Sequence, residues 1–461
     1  MEKDNKKNIN RRNFLKVVGT GTVATTAALY GCNSNRQSST NGTTTTEVPT
    51  DKMTYRTNPS TGDKVSLLGY GCMRWPTRKK TDGEGIEIDQ ETVNRLVDYA
   101  IAHGVNYFDT APPYVQGLSE RATGIALKRH PRNKMFIATK LSNFDPQSMT
   151  RENSIALYHK SLQNLQVDYI DYYLLHAVGI PNMDVFKKRY IDNHMIDYLV
   201  KEREAGRIRN LGWSFHGDIN VFNYLLSLDV KWDFVQIQLN YSDWKHASDK
   251  DSNAEYLYNE LSKRKIPAIV MEPLLGGRLS KLNDKLVAEL KQHRPQDSIA
   301  SWAFRYAGSL PDVLTVLSGM TYIDHLKDNI RTYSPLQPLT KAENELLEHV
   351  AQEMLKRPVI PCTGCKYCMP CPYGLDIPAI FAHYNRCINK NDIPESRKSK
   401  NYEEARRAFL IGYDRSVPKL RQASHCIKCN QCSPHCPQSI YIPREMEKID
   451  NYVEQLKQGT L

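Results

Sequence analysis

Four side chains that can exchange protons are predicted near the ends of consecutive strands. Asp109 ends one predicted strand and Tyr114 follows in the next loop, while Lys140 and His176 end the two strands after it. A phenol has an ordinary pKa near about 10, so it needs a neighbouring cation to give up its proton at neutral pH. Each residue alone has a structural explanation, because lysines are common on surfaces and histidines occur in cores. Together they predict general acid–base chemistry with Tyr114 as the acid.

A second set of residues is typical of metal binding. Eight of the eleven cysteines form two runs near the C-terminus, and each run ends in a Cys-Pro pair. Bacterial ferredoxins hold [4Fe–4S] clusters with this spacing, while a four-cysteine zinc site is the alternative. The predicted ligands are Cys362, Cys365, Cys368 and Cys371 in the first run and Cys426, Cys429, Cys432 and Cys436 in the second.

The two runs are predicted to share their clusters. In two-cluster ferredoxins the fourth cysteine of each run binds the other cluster. Cys436 would therefore join the first three cysteines of the first run, and Cys371 would join Cys426, Cys429 and Cys432. Cys72 and Cys387 stand outside both runs and are interpreted as buried thiols.

The elements that must position the four proton-exchanging residues lie between residues 52 and 345. This region alternates between strand-like segments, such as 65–71 and 135–140, and amphipathic helix-like segments, such as 154–165. Eight such units predict an α/β fold, a (β/α)8 TIM barrel, whose chemistry belongs at the C-terminal strand ends. An open doubly wound sheet is the alternative, but no Gly-x-Gly-x-x-Gly follows the first strand.

The remaining residues, 346–461, are predicted to form a separate, mostly helical, ferredoxin-like domain. More than fifty residues separate the two cysteine runs, with helix-like segments at 377–384 and 402–411 between them. Such a separation favours a helical module over a compact β-rich one.

The N-terminal residues are interpreted as a targeting signal. Residues 10–16 (NRRNFLK) resemble a twin-arginine export signal, and residues 29–32 (LYGC) resemble a lipobox in which Cys32 is acylated. We assign residues 1–32 to the signal and residues 33–51, a polar low-complexity run, to a disordered tether. This predicts lipid anchoring on the periplasmic side of a bacterial cell envelope. A disordered basic tail with a chance cysteine is the alternative.

The charge pattern argues against a nucleic-acid partner. The chain carries a net charge of +11, but no basic run is interleaved with aromatic residues. We interpret the surplus as a solvated surface.

Short motifs around the four proton-exchanging residues resemble the aldo/keto reductase superfamily. They are FDTAPPY at 108–114, GLSE at 117–120, ATK at 138–140 and LLH at 174–176. The resemblance implies that a nicotinamide delivers hydride to a carbonyl carbon while Tyr114 protonates the oxygen. It also implies that Lys140 lowers the pKa of Tyr114, that Asp109 holds Lys140, and that His176 orients the carbonyl. The whole chain resembles a subgroup with a twin-arginine or lipoprotein-like signal and a C-terminal extension for two [4Fe–4S] clusters.

The same resemblance implies a site for NAD(P), with departures from the family pattern. Ser214 and Gln236 match contacts to the nicotinamide carboxamide, and Asn329 matches an adenine-side contact. Phe215 replaces an asparagine, and Met271 replaces a tyrosine that often stacks on the nicotinamide ring. The nucleotide preference therefore stays open.

Three functions are compatible with these features. The first is an exported enzyme that interconverts a carbonyl and an alcohol, with a small carbonyl, alcohol or sugar-like substrate, while two clusters relay electrons to a membrane-side carrier. A flavin is a possible mediator, because clusters move one electron and hydride carries two. The second is an electron-transfer or sensor protein with a non-catalytic barrel. The third is a reductase whose clusters are only structural.

Overall fold

The computed structural model describes residues 48–83, 85–247, 253–357, 359–390, 393–394 and 396–461. The predicted export signal, the lipobox and the tether up to residue 47 lie outside the described residues. Val48 is buried in the barrel core, so the packed chain begins ahead of the predicted start at residue 52. In the described ranges no helix is both long and apolar enough to cross a bilayer.

Twelve strands occur in the described chain. They are β1 (Tyr55–Thr57), β2 (Lys64–Ser66), β3 (Leu68–Gly71), β4 (Thr77–Lys79), β5 (Ile86–Ile88), β6 (Tyr107–Asp109), β7 (Phe136–Leu141), β8 (Ile170–Val178), β9 (Ile208–Phe215), β10 (Phe234–Gln238), β11 (Ala268–Met271) and β12 (Val313–Ser318).

Fifteen α-helices connect and follow these strands in the same ranges. They are α1 (Gln90–Ala102), α2 (Ser119–Leu127), α3 (Arg151–Leu165), α4 (Met183–Tyr190), α5 (Met195–Glu204), α6 (Ile219–Ser227), α7 (Asp243–His246), α8 (Ala254–Lys263), α9 (Asp284–His293), α10 (Ile299–Ser309), α11 (Ile323–Tyr333), α12 (Lys341–Leu355), α13 (Ile377–Asn389), α14 (Tyr402–Ser416) and α15 (Ile442–Gln458).

Eight of the strands form a closed parallel barrel. Its order is β3, β6, β7, β8, β9, β10, β11 and β12, and β12 pairs back to β3. This confirms the predicted fold class. Aromatic rings fill the interior: Tyr172 meets Tyr107 and Phe234 edge-to-face, each with ring centres 5.0 Å apart. Because side chains fill the interior, they hold the strand ends in place. The chemistry of such a barrel belongs at the C-terminal ends of its strands.

The first predicted strand is divided in the structure. The sequence predicted one strand over 65–71, but β2 pairs antiparallel with β1, and only β3 enters the barrel. Val65 explains the division, because it packs with barrel-interior residues and lets the β1–β2 hairpin close the N-terminal end of the barrel. The short β4–β5 hairpin and helix α4 were not predicted.

The predicted boundary at residues 345/346 falls inside helix α12. A capping box starts this helix, since the Thr340 side chain accepts from the Glu343 backbone and Glu343 bonds back to Thr340. Leu347 and Val350 are buried against barrel residues that include Trp302. The helix therefore belongs to the barrel, and the second domain begins after it.

The second domain is mostly helical, as predicted. Buried side chains of α13, α14 and α15 form its core, among them Ile380, Phe409 and Met446. Most cysteines of the two runs are half-buried at the edge of this core. Cys72 and Cys387 are buried thiols, as predicted.

Candidate functional site

The Lys140 ammonium lies inside the barrel wall at the end of β7. It donates to both carboxylate oxygens of Asp109, at 2.6 and 2.7 Å, and to the Thr110 carbonyl at 2.8 Å. Both charged side chains are almost completely buried. Burial raises the pKa of Asp109 and lowers that of Lys140, while their mutual attraction opposes both shifts. Neighbouring strand ends are thus held together by a buried ion pair.

Tyr114 lies over this ion pair in the loop after β6. The Lys140 Nζ is 5.1 Å from the centre of the Tyr114 ring. Burial raises the pKa of Tyr114 well above its ordinary value, and Tyr367 and Asp109 raise it further. The Lys140 ammonium makes its hydrogen bonds to Asp109 and Thr110, and the expectation that Lys140 lowers the pKa of Tyr114 stays a prediction. Tyr114 is a neutral phenol that retains its proton.

His176 faces Tyr114 from β8. Their rings meet edge-to-face with centres 5.9 Å apart. Burial, and then the charges of Lys140 and Arg189, keep the pKa of His176 well below its ordinary value, so the imidazole is neutral. Its Nδ1 lies 2.6 Å from the Ser142 hydroxyl. If that hydroxyl donates to Nδ1, the single N–H of the ring is on Nε2 and points at the site.

A side chain of the second domain completes the site. Tyr367 lies between Cys365 and Cys368, and its hydroxyl is 3.3 Å from Nε2 of His176. Tyr367 also raises the pKa of Tyr114, so the two phenols lie close together. The Tyr367 oxygen is therefore within reach of Nε2 of His176 and close to the Tyr114 phenol.

Sequence reasoning missed three residues of this site. Ser142 could have been found, because it follows Lys140 by two residues and the strand period places both on one face. Arg189, which is 1% exposed and donates to the His176 carbonyl at 2.6 Å, lies in the unpredicted helix α4. Tyr367 had no local signal, because it comes from the other domain.

The residues expected to hold a nicotinamide are buried near the rim. The Oε1 atom of Gln236 has no hydrogen-bond partner in the described part of the chain, while its amide nitrogen contacts the Met271 sulfur at 3.5 Å. Ser214 accepts from the backbone of Ala177 at 2.8 Å. A buried acceptor without a partner is costly, and a carboxamide NH2 group would satisfy it. Gln236 therefore fits the carboxamide.

The adenine-side residue is placed differently. Asn329, on α11, donates to the Ser318 hydroxyl at 2.9 Å. Both side chains are mostly buried. Asn329 thus holds the end of β12 in place, in addition to any contact with a nucleotide.

Cysteines of the two runs affect one another's pKa values, while the interleaved assignment of the clusters stays a prediction. Burial raises the pKa of Cys362 to about 11, and Cys436 of the second run raises it further. Burial likewise raises the pKa of Cys432, with further contributions from Cys426 and from Cys371 of the first run. Thiols must lose their protons to bind iron, so these shifts describe the unloaded side chains. No three Cys, His, Asp or Glu side chains in the described ranges lie close enough together to hold a single metal ion.

Comparison with protein families agrees with the fold and with the two kinds of site. The model of the aldo/keto reductase family matches residues 67–352, and a 4Fe–4S dicluster domain matches residues 361–441. The chain belongs to the aldo/keto reductase family. It is an aldo/keto reductase-like oxidoreductase with a ferredoxin-type 4Fe–4S domain, which favours iron–sulfur clusters over zinc.

Individual relatives match the barrel. L-galactose dehydrogenase of Arabidopsis thaliana is 26% identical over 64% of this chain and 93% of its own length. An aldo-keto reductase from Bacillus halodurans, solved in a holo form, is 25% identical with a TM-score of 0.52 and covers 65% of this chain and 96% of its own. An aldo-keto reductase from Klebsiella pneumoniae, solved with NADPH, is 20% identical with a TM-score of 0.50 over 65% of this chain and 95% of its own.

Proposed function

We propose that this protein interconverts a small carbonyl compound and an alcohol, with Tyr114 exchanging the proton. The observation that supports this is that Tyr114 and Nε2 of His176 face one point of the site, where the hydroxyl of Tyr367 lies 3.3 Å from Nε2 and raises the pKa of Tyr114. A carbonyl oxygen at that point would accept from both groups. As negative charge develops on it, preorganised donors in a buried site stabilise the charge strongly.

The charge states of the site favour reduction of the carbonyl. The raised pKa of Tyr114 keeps the phenol protonated, so it can donate a hydrogen bond to the carbonyl oxygen. It can then pass its proton to the alkoxide that hydride addition forms, which is a stronger base than a phenolate. The lowered pKa of His176 keeps the ring neutral, so it donates a hydrogen bond without adding a buried positive charge. Oxidation of an alcohol would need the phenolate, which burial disfavours.

A nicotinamide would supply the hydride when bound. NADPH is present in the Klebsiella relative, and we propose that Gln236, Ser214 and Asn329 hold a nicotinamide nucleotide in this chain. The partnerless Oε1 of Gln236 is the observation that supports this assignment. Phe215, 2% exposed, contributes an apolar wall where the family pattern has a polar one.

We further propose that the two groups of four cysteines each hold a [4Fe–4S] cluster. A cluster supplies one-electron transfer when bound. Electrons would pass between the protein and a membrane-side carrier in the cell envelope. The proposal of export and lipid anchoring rests on residues 10–16 and 29–32, with Cys32 as the lipid-bearing residue.

Replacing Tyr114 with phenylalanine tests the proposed chemistry. The variant keeps the ring but loses the proton donor, so NADPH-dependent reduction of small aldehydes and ketones should fall by about 10²–10⁴-fold. Nucleotide binding, measured by fluorescence titration, should be unchanged. Tyr441→Phe is the matched control, because Tyr441 is 50% exposed in the second domain. Unchanged turnover in Tyr114→Phe would reject Tyr114 as the acid.

A further inference from the structure

Tyr367 is the one aromatic residue of the first cysteine run that enters the barrel mouth. Its ring meets His176 edge-to-face with centres 6.4 Å apart, and its hydroxyl lies 3.3 Å from Nε2 of that ring. Its closeness to Tyr114 raises the pKa of that phenol. Tyr373, which follows the same run, is 47% exposed. The inward position therefore belongs to Tyr367 specifically.

The hydroxyl of Tyr367 stands where a substrate oxygen has to stand. Tyr114 and His176 can protonate or polarise an oxygen only within about 2.6–3.3 Å of both groups. That position is already taken by a phenolic oxygen of the chain itself. Two oxygens cannot share it, so a substrate carbonyl must displace Tyr367.

We propose that Tyr367 is a displaceable internal ligand of the carbonyl site and sets which compounds can enter it. This rests on the proposed function of Tyr114 and His176. A compound binds only if its oxygen replaces the contact of the Tyr367 hydroxyl with Nε2 of His176. Ligands with a strong acceptor, such as a carbonyl or a carboxylate, meet this condition, while apolar compounds of the same size do not.

The displacement has a consequence for the metal-binding loop. Tyr367 directly precedes Cys368, and one residue lies between it and Cys365. Lys366, directly before it, has a φ of 68°, a left-handed turn that aims the tyrosine into the barrel. Because Tyr367 is next to Cys368 in this short turn, we expect its side chain to change the loop when it leaves the site. Substrate binding is thereby coupled to the surroundings of the cluster that Cys365 and Cys368 would hold.

The test uses acetate, a carboxylate that offers its oxygens to the site without being turned over. Binding is measured on cluster-loaded protein by saturation-transfer NMR, and the reduced protein is examined by electron paramagnetic resonance. Tyr367→Phe keeps the ring and removes the competing oxygen. It should bind acetate about three- to tenfold more tightly, the equivalent of about one net hydrogen bond. Tyr367→Ala should also bind more tightly, and Tyr373→Phe should match the unchanged protein.

Electron paramagnetic resonance reports on the loop that carries Cys365 and Cys368. Saturating acetate should alter the resonance of a reduced cluster in the unchanged protein and leave it unaltered in Tyr367→Ala. Equal or weaker acetate binding by Tyr367→Phe would overturn the displacement, and an unaltered resonance in the unchanged protein would overturn the coupling. Neither result depends on turnover, so both are separate from a failure of the Tyr114→Phe experiment.

Discussion

The Lys140 ammonium is hydrogen-bonded within the barrel wall. It donates to both carboxylate oxygens of Asp109 and to the Thr110 carbonyl. The Lys140 Nζ lies 5.1 Å from the centre of the Tyr114 ring. At this distance the ammonium acts on the ring through its positive charge and through packing. At this site the lysine orders the strand ends, and the proton stays on the tyrosine until an acceptor arrives.

Removing Asp109 should destabilise the protein strongly. Asp109→Ala leaves a buried ammonium without its carboxylate, which costs about 3–5 kcal/mol in other buried pairs. Urea unfolding monitored by circular dichroism measures this. Glu91→Ala, which removes an exposed ion pair to Arg95, should cost less than about 1 kcal/mol.

The pH dependence identifies the cause. Without its carboxylate, Lys140 has a pKa in the folded state below its unfolded value, so the unfolded chain binds more protons. The stability of Asp109→Ala should therefore rise with pH until the unfolded pKa near about 10.4 is passed. A variant whose stability does not change with pH would contradict the ion pair as the cause.

At the scale of elements, the loop after β11 holds the first cysteine run against the barrel. Gly276 has a φ of 66°, and a Cβ added there would lie 2.3 Å from the Thr363 carbonyl oxygen. Arg74 donates to the same carbonyl at 3.3 Å. Neighbouring Gly277 has a φ of 94°, but an added Cβ would meet no described atom within 4 Å. Both glycines thus have a left-handed backbone conformation, but only Gly276 lies in close contact with Thr363.

Alanine at each glycine separates conformation from contact. Gly277→Ala should cost about 1–2 kcal/mol for the left-handed backbone. Gly276→Ala should cost about 1–3 kcal/mol more, because Thr363 has to move. Thermal unfolding gives the stabilities, and limited proteolysis reports on the docking of residues 361–364. Equal stability of the two variants would show that the contact does not hold the run in place.

At the scale of the molecule, the second domain covers the C-terminal face of the barrel. Gln438 donates to Gln238 at the end of β10 at 2.9 Å, while Tyr367 reaches His176 on β8. If Cys436 completes the cluster of the first run, as the interleaved assignment predicts, the fold of the second domain determines which cysteines share a cluster.

Two double variants test the interleaved assignment. Cys362→Ser with Cys436→Ser removes two ligands of one cluster, so the protein should lose about half of its iron. Cys362→Ser with Cys371→Ser removes one ligand from each cluster and should lose more. Iron analysis of purified protein measures both. The reverse order of iron loss would show that each run binds its own cluster.

Many features of this fold could be predicted from local patterns. The alternation of strands and helices gave the barrel, and it placed Asp109, Lys140 and His176 at successive strand ends. Helix α4, which contains Arg189, was not predicted. It has only eight residues, several of them charged, and so shows no clear helical period in the sequence. The division between β2 and β3 at Leu67 was missed because residues 65–71 read as one strand, while β2 pairs with β1 and β3 pairs with the distant β12.

The sequence by itself determined the residues that can move protons and bind iron, because strand period and cysteine spacing are local properties. Only the tertiary structure decided which hydrogen bonds Lys140 makes and whether Tyr114 keeps its proton, since both depend on burial. It also decided that Tyr367 meets His176 across 191 residues of chain. Contacts of that kind follow from how two domains pack, and no short motif encodes them.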